Sequence, residues 1–148
     1  MADANEPATK TPWHLWVVGI LSLLWNAIGA MDFTMTQLKN EAYLKAFTPE
    51  QLAYFFSFPL VVVLAWGVAT WGSLLGSVLL LLRNRWALRV NFLVLVGMTV
   101  TFIHNFVLSE GMKIMGGVVP LIFTATIIVV GVLLFVYARA MIRRGVLR

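Results

Sequence analysis

Residues Val118–Ala138 read VVPLIFTATIIVVGVLLFVYA, without one charged side chain. Crossing ~30 Å of hydrocarbon takes about 20 apolar residues, at ~1.5 Å of rise each, when the chain is helical. The run is long enough. Pro120 falls in the opening turn, where a missing N–H costs little. A lone extended segment is excluded, because lipid offers no partner for unpaired backbone groups.

Three earlier runs have the same character: Trp13 to about Met31, about Pro59 to Leu82, and Val90 to Ser109 between Arg89 and Glu110. Pro59, like Pro120, is expected in a first helical turn. The fold class this predicts is all-α: an integral membrane bundle of four transmembrane helices. The spans run about 13–31, 59–82, 90–109 and 118–138 within a domain of 13–140. A polar, disordered N-terminus is expected over 1–12. A basic tail is expected over 141–148, where Arg139 to Arg148 extend the fourth helix and touch acidic headgroups.

Composition supports one domain with lipid as its partner. The 148 residues are 61% hydrophobic and 11% charged, with mean hydropathy +0.91. A soluble domain carries roughly 45–50% apolar and about 25% charged residues, so a water-facing surface cannot be covered from this inventory. The absence of cysteine removes disulfides, thiol chemistry and Cys-based metal centres. Net charge +5 and a pI near 10.1 raise the question of nucleic acid. No basic stripe is interleaved with a soluble fold, so nucleic acid is not an expected partner. In a membrane protein the basic residues mark cytoplasmic loops instead.

Alternate sides of the four spans carry unequal charge. Lys10, Arg83, Arg85, Arg89, Arg139, Arg143, Arg144 and Arg148 fall on one side; only Lys39, Lys45 and Lys113 fall on the other. The richer side is expected in the cytoplasm, with both termini. The short basic turn Arg83-Asn84-Arg85 makes the second and third helices an antiparallel hairpin. Ala27-Ile28-Gly29 is a passable cleavage site, but Asp3 and Glu6 oppose Lys10 ahead of it and tryptophans interrupt the run. The first segment therefore reads as a retained helix, not a signal peptide.

The first outer loop, about 32–58, carries a strong helix start: Thr48 as N-cap, Pro49 at the first position, and Gln51 completing a capping box. Leu52, Phe55 and Phe56 share one face beyond it. Tyr43, Leu44 and Phe47 share another, with Glu41 and Lys45 spaced to pair. One or two short amphipathic helices are expected there on the membrane interface.

Polar residues within spans point to function, since each costs free energy unless paired. Asn26 lies ~20 Å and Asp32 ~28 Å along the first helix, and His104 ~22 Å along the third from Arg89. Thr124 and Thr126 fall in the outer half of the fourth. On the third, Gly97, Thr101, His104 and Asn105 share an arc of about 100°. A candidate binding cluster of Asn26, Asp32, Thr101, His104, Asn105 and Thr124 follows, with Asp32 and His104 as a carboxylate–imidazole pair. Imidazole changes charge near neutral pH, which suits a solute or proton site. The competing reading is interhelical glue, worth about 0.6 kcal/mol per bond.

His14 and His104 fall near opposite surfaces, so one haem iron cannot take both; His14, between Trp13 and Trp16, reads as an interfacial residue. The second helix carries Ala65, Ala69, Ser73 and Ser77 at four-residue spacing beside Gly72 and Gly76. Such ridges let helices approach closely, inside the bundle or at a homo-oligomer seam. No acid lies deep in a span, and no nucleophile–base pair, phosphate loop or metal-spaced cluster appears. No enzymatic activity, cofactor or metal is expected.

Two stretches, Pro12-Trp13-His14-Leu15-Trp16 through Leu24-Trp25-Asn26-Ala27-Ile28-Gly29-Ala30-Met31-Asp32, and Asn40-Glu41-Ala42-Tyr43-Leu44 through Phe47-Thr48-Pro49-Glu50-Gln51-Leu52-Ala53-Tyr54-Phe55, carry a resemblance. The chain resembles a family of small proteobacterial inner-membrane proteins often labelled "sugar transporter". The likeness covers roughly the first half, then helix count and Trp66/Trp71. It implies a bacterial inner membrane and supplies no site residues. The expected function is solute transport or solute handling, as an oligomer because four helices rarely enclose a path. The alternative is a non-catalytic accessory subunit that binds a membrane partner through Tyr43, Tyr54, Phe55 and Phe56. A haem or quinone redox subunit is a third.

Overall fold

The computed structural model describes residues 9–148, so most of the segment expected to be disordered lies outside the described residues. All regular structure within them is helical: α1 (Trp13–Gln37), α2 (Glu41–Leu44), α3 (Pro49–Phe56), α4 (Leu60–Leu81), α5 (Trp86–Ile103), α6 (Gly111–Ile114) and α7 (Val118–Arg143). A π-helical turn, His104–Leu108, extends α5. Four helices are long and apolar enough to cross a membrane, counting α5 with its π turn.

Helix limits differ from expectation where side chains satisfy backbone groups. Helix α1 runs past Met31 to Gln37, and within its last turns Thr34 and Thr36 donate to the Ala30 and Asp32 carbonyls at 2.7 and 2.8 Å. Asp32 therefore lies inside α1, not at its end. Pro59 caps α4 from outside instead of occupying its first turn. Helix α5 starts at Trp86, ahead of Val90, since Asn84 Oδ1 accepts the Trp86 N–H at 2.9 Å. The Thr48–Gln51 capping box is present, at 3.2 and 3.1 Å. The expected Glu41–Lys45 pair is absent. Helix α2 ends at Leu44, and both side chains point into solvent. The one ion pair among the described residues joins Lys113 to Glu110 at 3.8 Å.

Helix α4 stands between α1 and α5, and α7 packs on α5. Small residues set those distances. A Cβ on Gly97 would lie 2.6 Å from the Ala65 carbonyl oxygen. One on Gly72 would lie 2.8 Å from Val94, and one on Gly76 would strike the Asn91 amide. Ser73 and Ser77 meet Asn26 of α1. The ridge of Ala65, Ala69, Gly72, Ser73, Gly76 and Ser77 thus faces α1 and α5 within the bundle.

Two apolar clusters hold the helices. Ala69, Val94 and Met98 sit at mid-height. Leu15, Leu80, Ala87, Ala138, Met141, Val146 and Leu147 close one end. We call this the basic end, for the arginines of the 83–85 turn and of α7; α2, α3 and α6 gather at the loop end. The outward faces stay apolar: Leu21, Leu24 and Ile28 are each 62% exposed. Contiguous exposure on this scale is foreign to a soluble monomer and ordinary in lipid. The chain is a multi-pass membrane protein.

The tail corrects an expectation. Helix α7 ends at Arg143, and Gly145, at φ 68°, turns the chain back. Gly145 N–H bonds the Ile142 carbonyl and Val146 N–H that of Met141, both at 2.9 Å. This is a Schellman motif, with its usual apolar contact between Val146 and Met141. Arg85 N–H then donates to the Arg148 carbonyl at 2.9 Å, and Arg148 N–H to that of Arg83 at 2.8 Å. Residues 145–148 form a plug instead of a helical extension, because burying Val146 and Leu147 outweighs another helical turn.

Candidate functional site

At the loop end α3 crosses beside the π turn. Tyr54, the buried residue of α3, donates its hydroxyl to Asn105 Oδ1 at 2.7 Å, with Ser109 Oγ also 2.7 Å away. Ser109 Oγ lies 2.5 Å from the His104 carbonyl as well. Three contacts share two protons, so the Ser109 proton goes to the His104 carbonyl or to the Tyr54 oxygen. Burial raises the Tyr54 pKa, against a smaller lowering by Ser109. Gly111 is forced to be glycine here: a Cβ would strike the Asn105 carbonyl and the Tyr54 hydroxyl.

His104 opens the π turn, a backbone irregularity that is frequent at functional sites. Its ring stands edge-on to Phe58 at 5.0 Å and tilted against Tyr54 at 6.5 Å. Trp66 and Phe55 extend this wall, each about 6.2 Å from Phe58, and Phe33 stands edge-on to Trp66 at 5.1 Å. His104 Nδ1 is buried and has no hydrogen-bond partner among the described residues. Leaving such a group unpaired costs about 1–3 kcal/mol, so its environment matters.

The anticipated Asp32–His104 pair does not form. Asp32 Oδ1 accepts a short hydrogen bond from the Tyr43 hydroxyl, from α2, 11 residues along the chain. Burial, then this bond and the carboxylate charge, push the Tyr43 pKa up to about 12. The other candidates part company too. Asn26 is buried and donates to Ser73 O at 3.2 Å and Ser77 Oγ at 2.9 Å, serving the α1–α4 seam. Thr101 turns its hydroxyl back to Met98 and Gly97 at 2.9 and 3.1 Å. Thr124, half-buried on α7, forms no hydrogen bond to the cluster. Of the six residues, His104 and Asn105 share the loop-end site.

Sequence reasoning missed Phe58, Ser109 and the buried Asn91. It offered Tyr43 and Tyr54 as contacts for a membrane partner. The available signal was chemical: a buried tyrosine hydroxyl needs a partner, and Asn105 and Asp32 were the polar groups at matching depth. His14, at the basic end, bonds Tyr137 at 2.6 Å through Nδ1, with the rings edge-on at 5.7 Å. Among the described residues no three of His, Asp and Glu cluster as metal ligands.

Comparison with protein-family models, with curated proteins and with solved structures finds no match.

Proposed function

We propose that this chain is a bacterial inner-membrane protein that handles a small solute at its loop end, without catalysing a reaction and without a cofactor. The observation that carries the reading is the His104 Nδ1 atom, buried without a partner beside the rings of Tyr54 and Phe58. An aromatic wall with one unspent hydrogen-bonding atom suits an uncharged, hydroxyl- or carbonyl-bearing solute, sugars included.

In this reading the basic end is cytoplasmic with both termini, as its excess of Lys and Arg supports. The site then lies toward the outer surface, and α2 and α3 lie on the outer interface, where Tyr43, Phe47 and Phe55 stack on one another. The buried amide of Asn26 is already spent on α4, so a path across the bilayer belongs between copies. Helix α7, buried only at Gly131, Ala138 and Met141, leaves a face for such a homo-oligomer.

The test is a panel of sugars, polyols and amino acids added to purified protein in detergent, read as thermal stabilisation. A stabilising solute is expected for the wild type and is expected to lose its effect on His104→Phe, which keeps a ring and removes the nitrogen. If no solute stabilises the protein, or if His104→Phe responds fully, the reading fails.

A partner-binding accessory subunit is the second reading, supported by exposed Leu38 and by Phe56 beneath Lys39, whose Nζ lies 5.0 Å from the ring. Crosslinking in native membranes that captures only self-contacts would remove it.

A further inference from the structure

The plug at the basic end builds a concavity, unconnected with His104. A cleft of about 400 Å³ lies between the start of α5, the end of α7 and the returning tail. Arg85, Arg89 and Arg148 form its rim, and Leu88, Ile142 and Leu147 its apolar wall. We propose that this cleft binds an anionic glycerophospholipid, with its phosphate between the three arginines and an acyl chain leaving along α5.

Three observations carry this. The rim charges are uncompensated: none of these arginines forms an ion pair among the described residues. The described side-chain carboxylates, Asp32, Glu41, Glu50 and Glu110, all sit on α1's far end or on loop-end elements. Like charges gathered without an acidic side chain among the described residues repel one another, and an anion relieves that repulsion.

The cleft is also amphiphilic in the required direction. Arg89 lies over the Trp86 ring, 4.4 Å from its centre, which orients the guanidinium at the rim. One turn deeper into the bilayer, exposed Phe92 meets Phe135 of α7 at 6.4 Å, and exposed Val96 follows on α5. A polar head at the arginines thus continues into an apolar lane for a chain. A free phosphate would use the rim and leave the lane empty.

Finally, tertiary structure makes the site. Arg148 reaches Arg85 only because Gly145 reverses the chain and the Arg83 and Arg85 backbones bind Arg148. Arg83 Nε, donating to the Val146 carbonyl at 3.2 Å, ties the same plug. Scattered headgroup-facing arginines need no such construction.

The test is native mass spectrometry and thermal stability of the full chain in neutral detergent, with phosphatidylglycerol, phosphatidylcholine or glycerol phosphate added. Phosphatidylglycerol is expected to remain bound and to stabilise; phosphatidylcholine and glycerol phosphate are not. The triple variant Arg85→Gln, Arg89→Gln, Arg148→Gln should bind the anionic lipid about tenfold or more weakly. All three side chains are exposed, so the fold tolerates the change. The variant Arg139→Gln, Arg143→Gln, Arg144→Gln removes equal charge from another face of α7 and should keep the lipid. Equal losses in the two variants would reduce the effect to general charge and overturn the site. So would equal stabilisation by phosphatidylcholine, or by glycerol phosphate alone.

Discussion

Replacing Gly97 with alanine tests a point where the spanning helices α4 and α5 meet backbone to backbone. The new methyl carbon would lie 2.6 Å from the Ala65 carbonyl oxygen and 3.2 Å from the Ala69 nitrogen. Ordinary contact begins near 3.4 Å, and both obstacles are backbone, so no side chain can rotate away. Helices α4 and α5 must part by most of an ångström, loosening Ala69, Val94 and Met98. Overpacking of this kind costs about 1–3 kcal/mol. Against it stands the helix propensity gained on losing a glycine, up to about 1 kcal/mol. The net expectation is a loss of about 1–2 kcal/mol. Gly29→Ala is the matched control, because its methyl meets only Thr70 Cγ2 at 3.8 Å, and it should be neutral or slightly stabilising. Reversible unfolding by dodecyl sulfate in mixed micelles, followed by tryptophan fluorescence, measures both. A Gly97→Ala protein as stable as Gly29→Ala would refute the α4–α5 packing.

Two further outcomes follow from the hydrogen bonds. Asn26→Ala removes two donations to α4, each worth about 0.6 kcal/mol in a membrane, and strands no buried donor, since Ser77 still donates to Ser73 O at 3.1 Å; the same unfolding assay should show a loss of about 1 kcal/mol. Ultraviolet titration should show the Tyr43 phenol ionising near pH 12 and moving toward its ordinary value of 10.0 in Asp32→Asn. Because burial first, and then Asp32, raise its folded pKa, the neutral Tyr43 phenol contributes its stability fully below pH 10 and loses it as pH climbs toward 12. A Tyr43 pKa unmoved by Asp32→Asn would assign the shift to burial alone.

Much of the bundle was legible because lipid is an undemanding solvent to read. Uncharged runs of the right length admit one backbone solution. The turn at Asn84 and the capping box at Thr48 are local chemistry, written within four residues. The plug was not legible. Nothing in the order Gly145-Val146-Leu147-Arg148 says that two small apolar residues will find Leu15, Leu80 and Ala87, which arrive from three other helices. An arginine-rich end invites the simpler picture of a solvated tail.

The candidate site shows the same division more sharply. Counting residues placed Asp32 and His104 at similar depth. Depth is one coordinate, and a hydrogen bond also needs the rotation of each helix about its axis and the path of the loop between them. Tyr43 reaches Asp32 from 11 residues away, and Tyr54 and Phe58 stand against His104. The sequence by itself determined the solvent, the number of spanning helices and the polar residues they contain, since those follow from composition and local periodicity. Only the tertiary structure decided which polar groups meet, because azimuth and loop path are set by packing among segments distant along the chain.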